Sequence, residues 1–452
     1  MTRDLTEGNP FSLILGFSVP VLFGFLFQQF YNIVDTAIVG KFLGKEALAA
    51  VGATGSVNFL VIGFCMGVCN GFAIPIAQKF GAKDYSLMRR FVMSAAYLSI
   101  MFAAVLTVVT VVFCRPLLVL MRTPENILDG AAGYIGVIFA GIPVIFLYNL
   151  TAGIIRSLGD SKTPLYFLIF ASILNIVLDV VFITVCGWGV VGAAVATVIS
   201  QGVSGIMCLL YMSKKFEVLR MTKEDRKMNT HLFPVLCGQG VPMGLQYSIT
   251  AIGSVILQAS VNTLGSDAVA SVTAGSKLGM FFVSPYDALG TTMSTWGGQN
   301  AGAGKYPRLK QGLFVSCAIG FAYSIVAVII MVLFGDVLSR IFINANETLV
   351  LQQSHQFLIL NSAFYFALAL VNIVRFLIQG MGFSTFAILS GVFEMIARAL
   401  MGIFIVPVFG FAGACFASPL AWIMADIFLV PAYFYVKRKL ERTLNGEKPA
   451  AA

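Results

Sequence analysis

Apolar residues run along this chain in long uninterrupted blocks, and charged residues gather where the blocks end. Twelve blocks can be marked, at 12–39, 48–77, 90–114, 129–157, 163–186, 190–213, 233–262, 267–299, 309–334, 351–380, 383–407 and 411–436. Each is long enough to cross a hydrocarbon core of about 30 Å, which takes about 20 helical residues, and backbone polar groups inside lipid must be satisfied within the helix itself. Connections are short, so no soluble domain is inserted. The pattern therefore predicts an all-α polytopic membrane protein of twelve transmembrane helices.

The blocks fall into two sets of six. A shift of 221 residues carries Ala47, Ala49, Val51 and Ala53 onto Ala268, Ala270, Val272 and Ala274, and Leu43-Gly44 onto Leu264-Gly265. The same shift carries Gln78 onto Gln299, Gly81-Ala82 onto Gly302-Ala303, and Gly189, Gly192, Ala193 and Ala196 onto Gly410, Gly413, Ala414 and Ala417. One register held across six spans is the trace of a duplicated folding unit. An even number of spans makes the repeats parallel, related by a pseudo-twofold axis along the membrane normal with a cleft between the lobes. The expected division is an N-lobe at 1–213, a cytoplasmic linker at 214–230 and a C-lobe at 231–452. Gly63, Gly67 and Gly71 mark a close helix contact in the second span, with Ser284, Ala288 and Thr292 at the shifted positions. Pro20 and Pro242 lie inside the first helix of each repeat and are hinge candidates, since proline removes a helical donor.

Composition agrees: 58% of residues are hydrophobic and 11% charged, against about 25% charged in a soluble domain. The net charge of +9 is a matter of topology. If both termini are cytoplasmic, inner segments hold 21 Lys and Arg, among them Arg3, Lys79, Lys83, Arg89, Arg90, Arg156, Lys162, Lys305, Arg308, Lys310 and Lys448. The outer loops hold five, Lys41, Lys45, Arg115, Arg122 and Arg340, and three more lie within spans. That bias places both termini in the cytoplasm and leaves no charge surplus to explain by nucleic acid. The first block is too long for a cleavable signal peptide. Eight cysteines lie almost entirely in apolar spans, which favours packing over disulfides or metal, and His231 and His355 are the only histidines. No cofactor is expected. An embedded enzyme would need a catalytic constellation at one depth, and no His- or Cys-based set exists.

Ionisable residues inside spans are costly and are functional candidates by default. The N-terminal half has Asp35 and Asp179, and the C-terminal half has Lys277, Asp287, Arg375, Glu394, Arg398 and Asp426. Glu394 and Arg398, one turn apart, can neutralise each other, whereas the two N-terminal acids have no basic partner. Counting about 1.5 Å of rise per residue from the outer ends puts Asp35, Asn175, Asp179 and Thr197 within reach of one outer-leaflet pocket. Gln28 and Asn32 continue the polar face of the first helix, and Gln201 that of the sixth. Two facing carboxylates without a cation cannot both ionise cheaply, and a proton or a sodium ion resolves the conflict. The oxygens of Asn175 and Thr197 suit a small alkali cation, so the four residues form a candidate sodium site as well as a proton site. The 221 shift sends Asp35, Asn175 and Asp179 to Ile256, Ile396 and Leu400, so one lobe alone carries the set. The C-terminal charges read as structural ion pairing, with Lys277, Asp287 and Arg375 as candidates for a substrate cavity.

The run Gln28-Gln29-Phe30-Tyr31-Asn32-Ile33-Val34-Asp35 with Val39-Gly40, the segment from Pro75 to Lys83, and Arg156-Ser157-Leu158-Gly159-Asp160 jointly carry a resemblance. So do Asn175 with Leu178-Asp179, and Gly298-Gln299-Asn300-Ala301-Gly302-Ala303-Gly304-Lys305. In these the chain resembles the multidrug and toxic compound extrusion family over essentially its whole length. The resemblance implies cation-coupled export of cationic, amphipathic compounds by alternating access, with a cation or proton site on Asp35, Asn175, Asp179 and Thr197. Members like NorM also carry carboxylates in the seventh and tenth helices, but 233–262 and 351–380 contain neither Asp nor Glu, and the tenth has Arg375. The likeness is closer to the DinF-like branch, whose coupling is attributed to the N-lobe.

The expected protein is thus an ion-coupled antiporter, exchanging small amphipathic molecules for protons or sodium ions. It is expected as a monomer in the lipid bilayer of a bacterial plasma membrane. A flippase of lipid-linked saccharide precursors is the alternative, and the acids of the N-terminal pocket argue against it.

Overall fold

The computed structural model describes residues 4–121, 123–343 and 346–444; Arg3, Arg122 and Lys448 of the charge tally lie outside them. The described chain is helical and contains no strand. Helix Pro10–Gly81 is broken at Gly44 into two arms, α1 before it and α2 after it. α3 is Tyr85–Leu120. α4 is a pair, Glu125–Ala140 and Ile142–Ser157, bent by 47°. α5, Lys162–Val180, ends in a π turn at Val181–Val185. α6 is Gly189–Lys215, α7 Phe233–Asn262, α8 Ser266–Gly302 and α9 Tyr306–Ser339. α10 is the pair Thr348–Ala363 and Tyr365–Gly380, bent by 50°. α11, Thr385–Leu400, ends in a π turn at Met401–Ile405, and the helix Val406–Leu444 breaks at Gly410, after which it forms α12. Among the described residues twelve helices result, one for each hydrophobic block.

The corners follow the duplication. Gly44 (φ 85°) pairs with Gly265 (φ 99°), and Gly189 (φ 59°) with Gly410 (φ 58°), each 221 residues apart. A left-handed residue reverses the chain within one position, and glycine takes that conformation without a Cβ clash. Lys83 (φ 58°) holds the position that Gly304 (φ 69°) holds in the second repeat.

Two compact units form, and their boundaries differ from those the repeat predicts. One is built on Phe23–Ser248, the other on Leu5–Leu22 together with the chain from Ile249 onward. The first third of α1 therefore belongs to the second unit, and the first half of α7 to the first. Small residues explain the second assignment: a Cβ on Gly71 would lie 2.5 Å from the Gly240 Cα, and one on Gly67 2.7 Å from the Gly244 Cα, so the backbones of α2 and α7 touch. The glycine stripe of the second span thus packs against α7. Hydrogen bonds explain the first. Gln299 Oε1 accepts from the Leu5 amide at 2.9 Å, Lys305 Nζ donates to the Thr6 carbonyl at 3.0 Å, and Arg308 donates to the carbonyls of Gly8 and Leu5 at 3.0 and 3.2 Å. The linker is strapped down in the same manner within the first unit, where Arg89 Nε donates to Asp225 Oδ2 at 2.7 Å and Tyr97 to the Arg226 carbonyl at 2.9 Å. Pro20 and Pro242 each lie in continuous helix, two and six residues before the positions where α1 and α7 pass from one unit to the other.

Asp160 fixes where α5 begins. Its Oδ1 accepts from the amides of Lys162 and Thr163, both at 3.0 Å, and its Oδ2 from the Thr163 hydroxyl at 2.7 Å. Those contacts satisfy amide donors that a helix start leaves open. From there Ser172, Asn175 and Asp179 follow at helical spacing on the buried face of α5.

Candidate ion-coupling site

Asp35 on α1 and Asp179 on α5 are both buried, with 8% and 0% of their surface exposed. Their carboxyl groups face each other within hydrogen-bonding reach. Among the described residues neither acid forms an ion pair. Asn175, one turn before Asp179, donates from Nδ2 to Thr197 Oγ1 at 3.4 Å, while Thr197 donates back to the Ala193 carbonyl at 3.1 Å. The four residues reached by counting helical rise therefore do sit together.

What distinguishes the site is its surplus of acceptors. Asp35 Oδ1, both oxygens of Asp179, Asn175 Oδ1 and Gln201 Oε1 are all buried without a hydrogen-bond donor. Buried polar atoms are nearly always satisfied, and a cluster of orphaned oxygens costs several kcal/mol, roughly 1–3 kcal/mol for each group. A proton between the carboxylates, or a hard cation among the oxygens, removes that cost. The donor set of two carboxylates, an amide and a hydroxyl fits an alkali cation. It is unlike a transition-metal site, and no cluster of three His, Cys, Asp or Glu exists among the described residues.

A small cavity adjoins this cluster, lined by Tyr31, Tyr148, Ser172, Asn175, Thr197 and Gln201 among others. The Tyr31 hydroxyl lies within reach of the side chains of Gln28 and Gln201. Sequence reasoning included both glutamines but missed Tyr31, Tyr148, Ser172, Ser200 and Ser204. A signal was present: Thr197, Ser200, Gln201 and Ser204 recur at helical spacing on α6, and Tyr31 precedes Asp35 by one turn. Asn32 is placed differently from expectation. Its side chain is exposed and is not among those lining this cavity: it lies at the edge of the face that carries Gln28 and Asp35, about 100° round α1 from Tyr31.

The second unit holds its charges in another way. Glu394 bonds Arg375 closely through Oε1 and Arg398 through Oε2 at 3.2 Å, and Arg375 Nε also donates to Ser390 at 3.0 Å. Arg375 is 6% exposed and its charge is neutralised inside the bundle, so it serves the packing of α10 on α11 and does not line a substrate cavity. Asp287 accepts from Asn372 Nδ2 at 3.5 Å. Lys277 is exposed on α8.

The MatE family model matches residues 20–181 and 242–415, which is most of the chain and one block in each repeat. A probable multidrug resistance protein of Bacillus subtilis, YoeA, is 31% identical over 74% of this chain and 73% of its own length. A second from the same organism, YpnP, is 31% identical over 78% of this chain and 79% of its own. An FAD transporter of Shewanella oneidensis is 25% identical over 73% of this chain and 74% of its own. Among solved structures, one described as the outward-facing conformation of a multidrug resistance MATE family transporter aligns with a TM-score of 0.90 at 23% identity. That alignment covers 98% of this chain and 99% of the other.

Proposed function

Since this chain belongs to the MatE family of multidrug efflux transporters, which are not enzymes, we propose that it is an antiporter driven by protons or sodium ions. Its cargo in this reading is amphipathic, cationic organic compounds, moved outward by alternating access from a bacterial plasma membrane with both termini in the cytoplasm. One observation carries the coupling: Asp35 and Asp179 face each other in a buried pocket where five oxygens lack donors, and among the described residues neither acid has an arginine or lysine partner.

The chemistry follows from that imbalance. An entering proton or sodium ion neutralises the acid pair, and the conformation that holds the pair most tightly closed is favoured only while the ion is bound. Loss of the ion restores repulsion and favours the alternative conformation. An exchange cycle that moves one net charge through about 100 mV gains roughly 2.3 kcal/mol, enough for a substrate gradient of about 45-fold, whereas exchange of one such ion for one monovalent cationic compound moves no net charge and draws on the ion gradient alone. Pro20 and Pro242 are the positions in α1 and α7 where bending costs least, since each already lacks one helical hydrogen bond.

Proteoliposomes test this reading. Ethidium efflux measured with a pH gradient alone, and then with a sodium gradient alone, names the ion. Efflux that ignores both gradients would sink it.

A further inference from the structure

The exposed surface of α9 is what a helix shows to lipid: Phe321, Ile325, Val326, Ile329, Leu333 and Val337 are all between 39% and 65% exposed. The exposed stripe of its neighbour α8 has a different chemistry. It runs through Ala270, Thr273, Ser276, Lys277 and Met280 at helical spacing. α8 also lacks the eighteen-residue apolar stretch that marks seven other helices and two bent pairs. A lysine among serine and threonine on an exposed face is costly against acyl chains and ordinary against water. The stripe is therefore a wet surface, reaching at least the twelve residues from Ser266 to Lys277, or about 16 Å along the helix.

Lys277 has no counter-ion. Among the described residues it makes no salt bridge, and no hydrogen bond engages its ammonium. The other two cations in the spans of this unit, Arg375 and Arg398, are both held by Glu394. The nearest acid along α8 on its outer side is Asp267, ten residues away and roughly 15 Å along the axis. We propose that Lys277 is a binding site for the anionic group, a carboxylate or phosphate, of an amphipathic compound, so that this protein takes up anionic or zwitterionic amphiphiles as well as cations. Ser276 and Thr273, beside it and one turn outward, supply hydroxyl donors to the same oxygens, and Met280 supplies an apolar contact one turn inward. The inference goes beyond ion coupling at Asp35 and Asp179 and does not depend on it.

Binding to the purified full-length chain in nanodiscs of neutral phosphatidylcholine tests the assignment. Carboxyfluorescein is the anionic probe and ethidium the cationic one, both followed by fluorescence polarisation without any gradient. Expected is carboxyfluorescein binding that weakens about tenfold or more in Lys277→Ala, is lost in Lys277→Glu and stays within about threefold in Lys277→Arg, the loss of one charge-assisted contact. Ethidium binding should hardly change in all three. The proposal is overturned if the wild-type chain does not bind carboxyfluorescein, if Lys277→Ala binds it equally well, or if the variants lose both dyes in parallel. Adding phosphatidylglycerol distinguishes the sources of the anion. Competition that vanishes in Lys277→Ala assigns the site to a lipid phosphate, and retained dye binding assigns it to a soluble amphiphile. Failure of gradient-driven efflux with dye binding intact would count against the coupling reading alone.

Discussion

The carboxyl group of Asp35 on α1 lies within hydrogen-bonding reach of that of Asp179 on α5, and among the described residues no positively charged side chain pairs with either. Asn175 and Thr197, joined at 3.4 Å, close one side of this pair, and Tyr31 stands one turn along α1 from Asp35. Since every oxygen left over in the cluster is an acceptor, its natural complement is a positive ion.

Replacing either acid removes that complement. Asp35→Asn and Asp179→Asn should each abolish gradient-driven ethidium efflux, while the protein still reaches the membrane at a normal level. Stability in detergent should hold or rise, because an amide supplies the donor that the pocket lacks. Full drug resistance in cells carrying Asp35→Asn would remove the site from the mechanism.

Glu394→Gln should be among the most damaging changes in the second unit. It removes the acid that hydrogen-bonds both Arg375 and Arg398 inside the bundle, a loss of about 3–5 kcal/mol. Thermal unfolding in detergent reads this directly, and Glu394→Gln combined with Arg375→Met and Arg398→Met should recover much of the lost stability. An unaltered midpoint in the single variant would show that the three charges are not a unit.

The linker strap should respond to acid. Burial alone would raise the Asp225 pKa, but hydrogen bonds from Arg89 and from the amide and hydroxyl of Thr222, with the Arg89 charge, outweigh it and hold it at about 2. Because the folded value lies below the unfolded one, the contribution is complete above the unfolded pKa, near pH 4, and fades as pH falls toward 2. Asp225→Asn should cost about 1–2 kcal/mol at neutral pH and flatten that acid dependence. Protease nicking at 214–230 as a function of pH, compared between the two proteins, is the readout.

Gly71→Leu should destabilise the first unit, since the added side chain would have to enter the backbone of Gly240 on α7. Overpacking of this kind costs about 1–3 kcal/mol, and more where backbone cannot yield. Gly55→Ala, on the same helix with open space around it, is the matched control and should be near neutral. Equal melting curves for the two variants would contradict the contact.

Much of this was legible in the residues because a membrane simplifies the code. Hydrophobic block length fixes the number of spans, and the 221-residue shift exposes the duplication even where side chains have changed. Asp35, Asn175, Asp179 and Thr197 could be brought together by counting helical rise, since straight helices turn sequence position into depth. What could not be counted was rotation and bending. Asn32 continues the polar face of α1 one turn from Gln28, yet its side chain is exposed at the edge of that face and outside the cavity lining. For Arg375 the residues alone leave both structural ion pairing and a cavity role open, and the packing of α10 on α11 shows the pairing, with Glu394 on the other helix. The passage of α1 and α7 from one unit to the other was hidden for the same reason: periodicity says which face of a helix is apolar, never whose neighbour it becomes.

The matched corners at Gly44 and Gly265, and at Gly189 and Gly410, persist although Ile256, Ile396 and Leu400 stand where the first repeat has Asp35, Asn175 and Asp179. Shape and charge were thus inherited on separate terms after the duplication. A bend enforced by backbone geometry survives exchange of every side chain around it, so one copy could lose its ionic centre without losing its outline. The second half is in that sense a vacant frame, in which a transplanted acid pair could be built without redrawing a single turn.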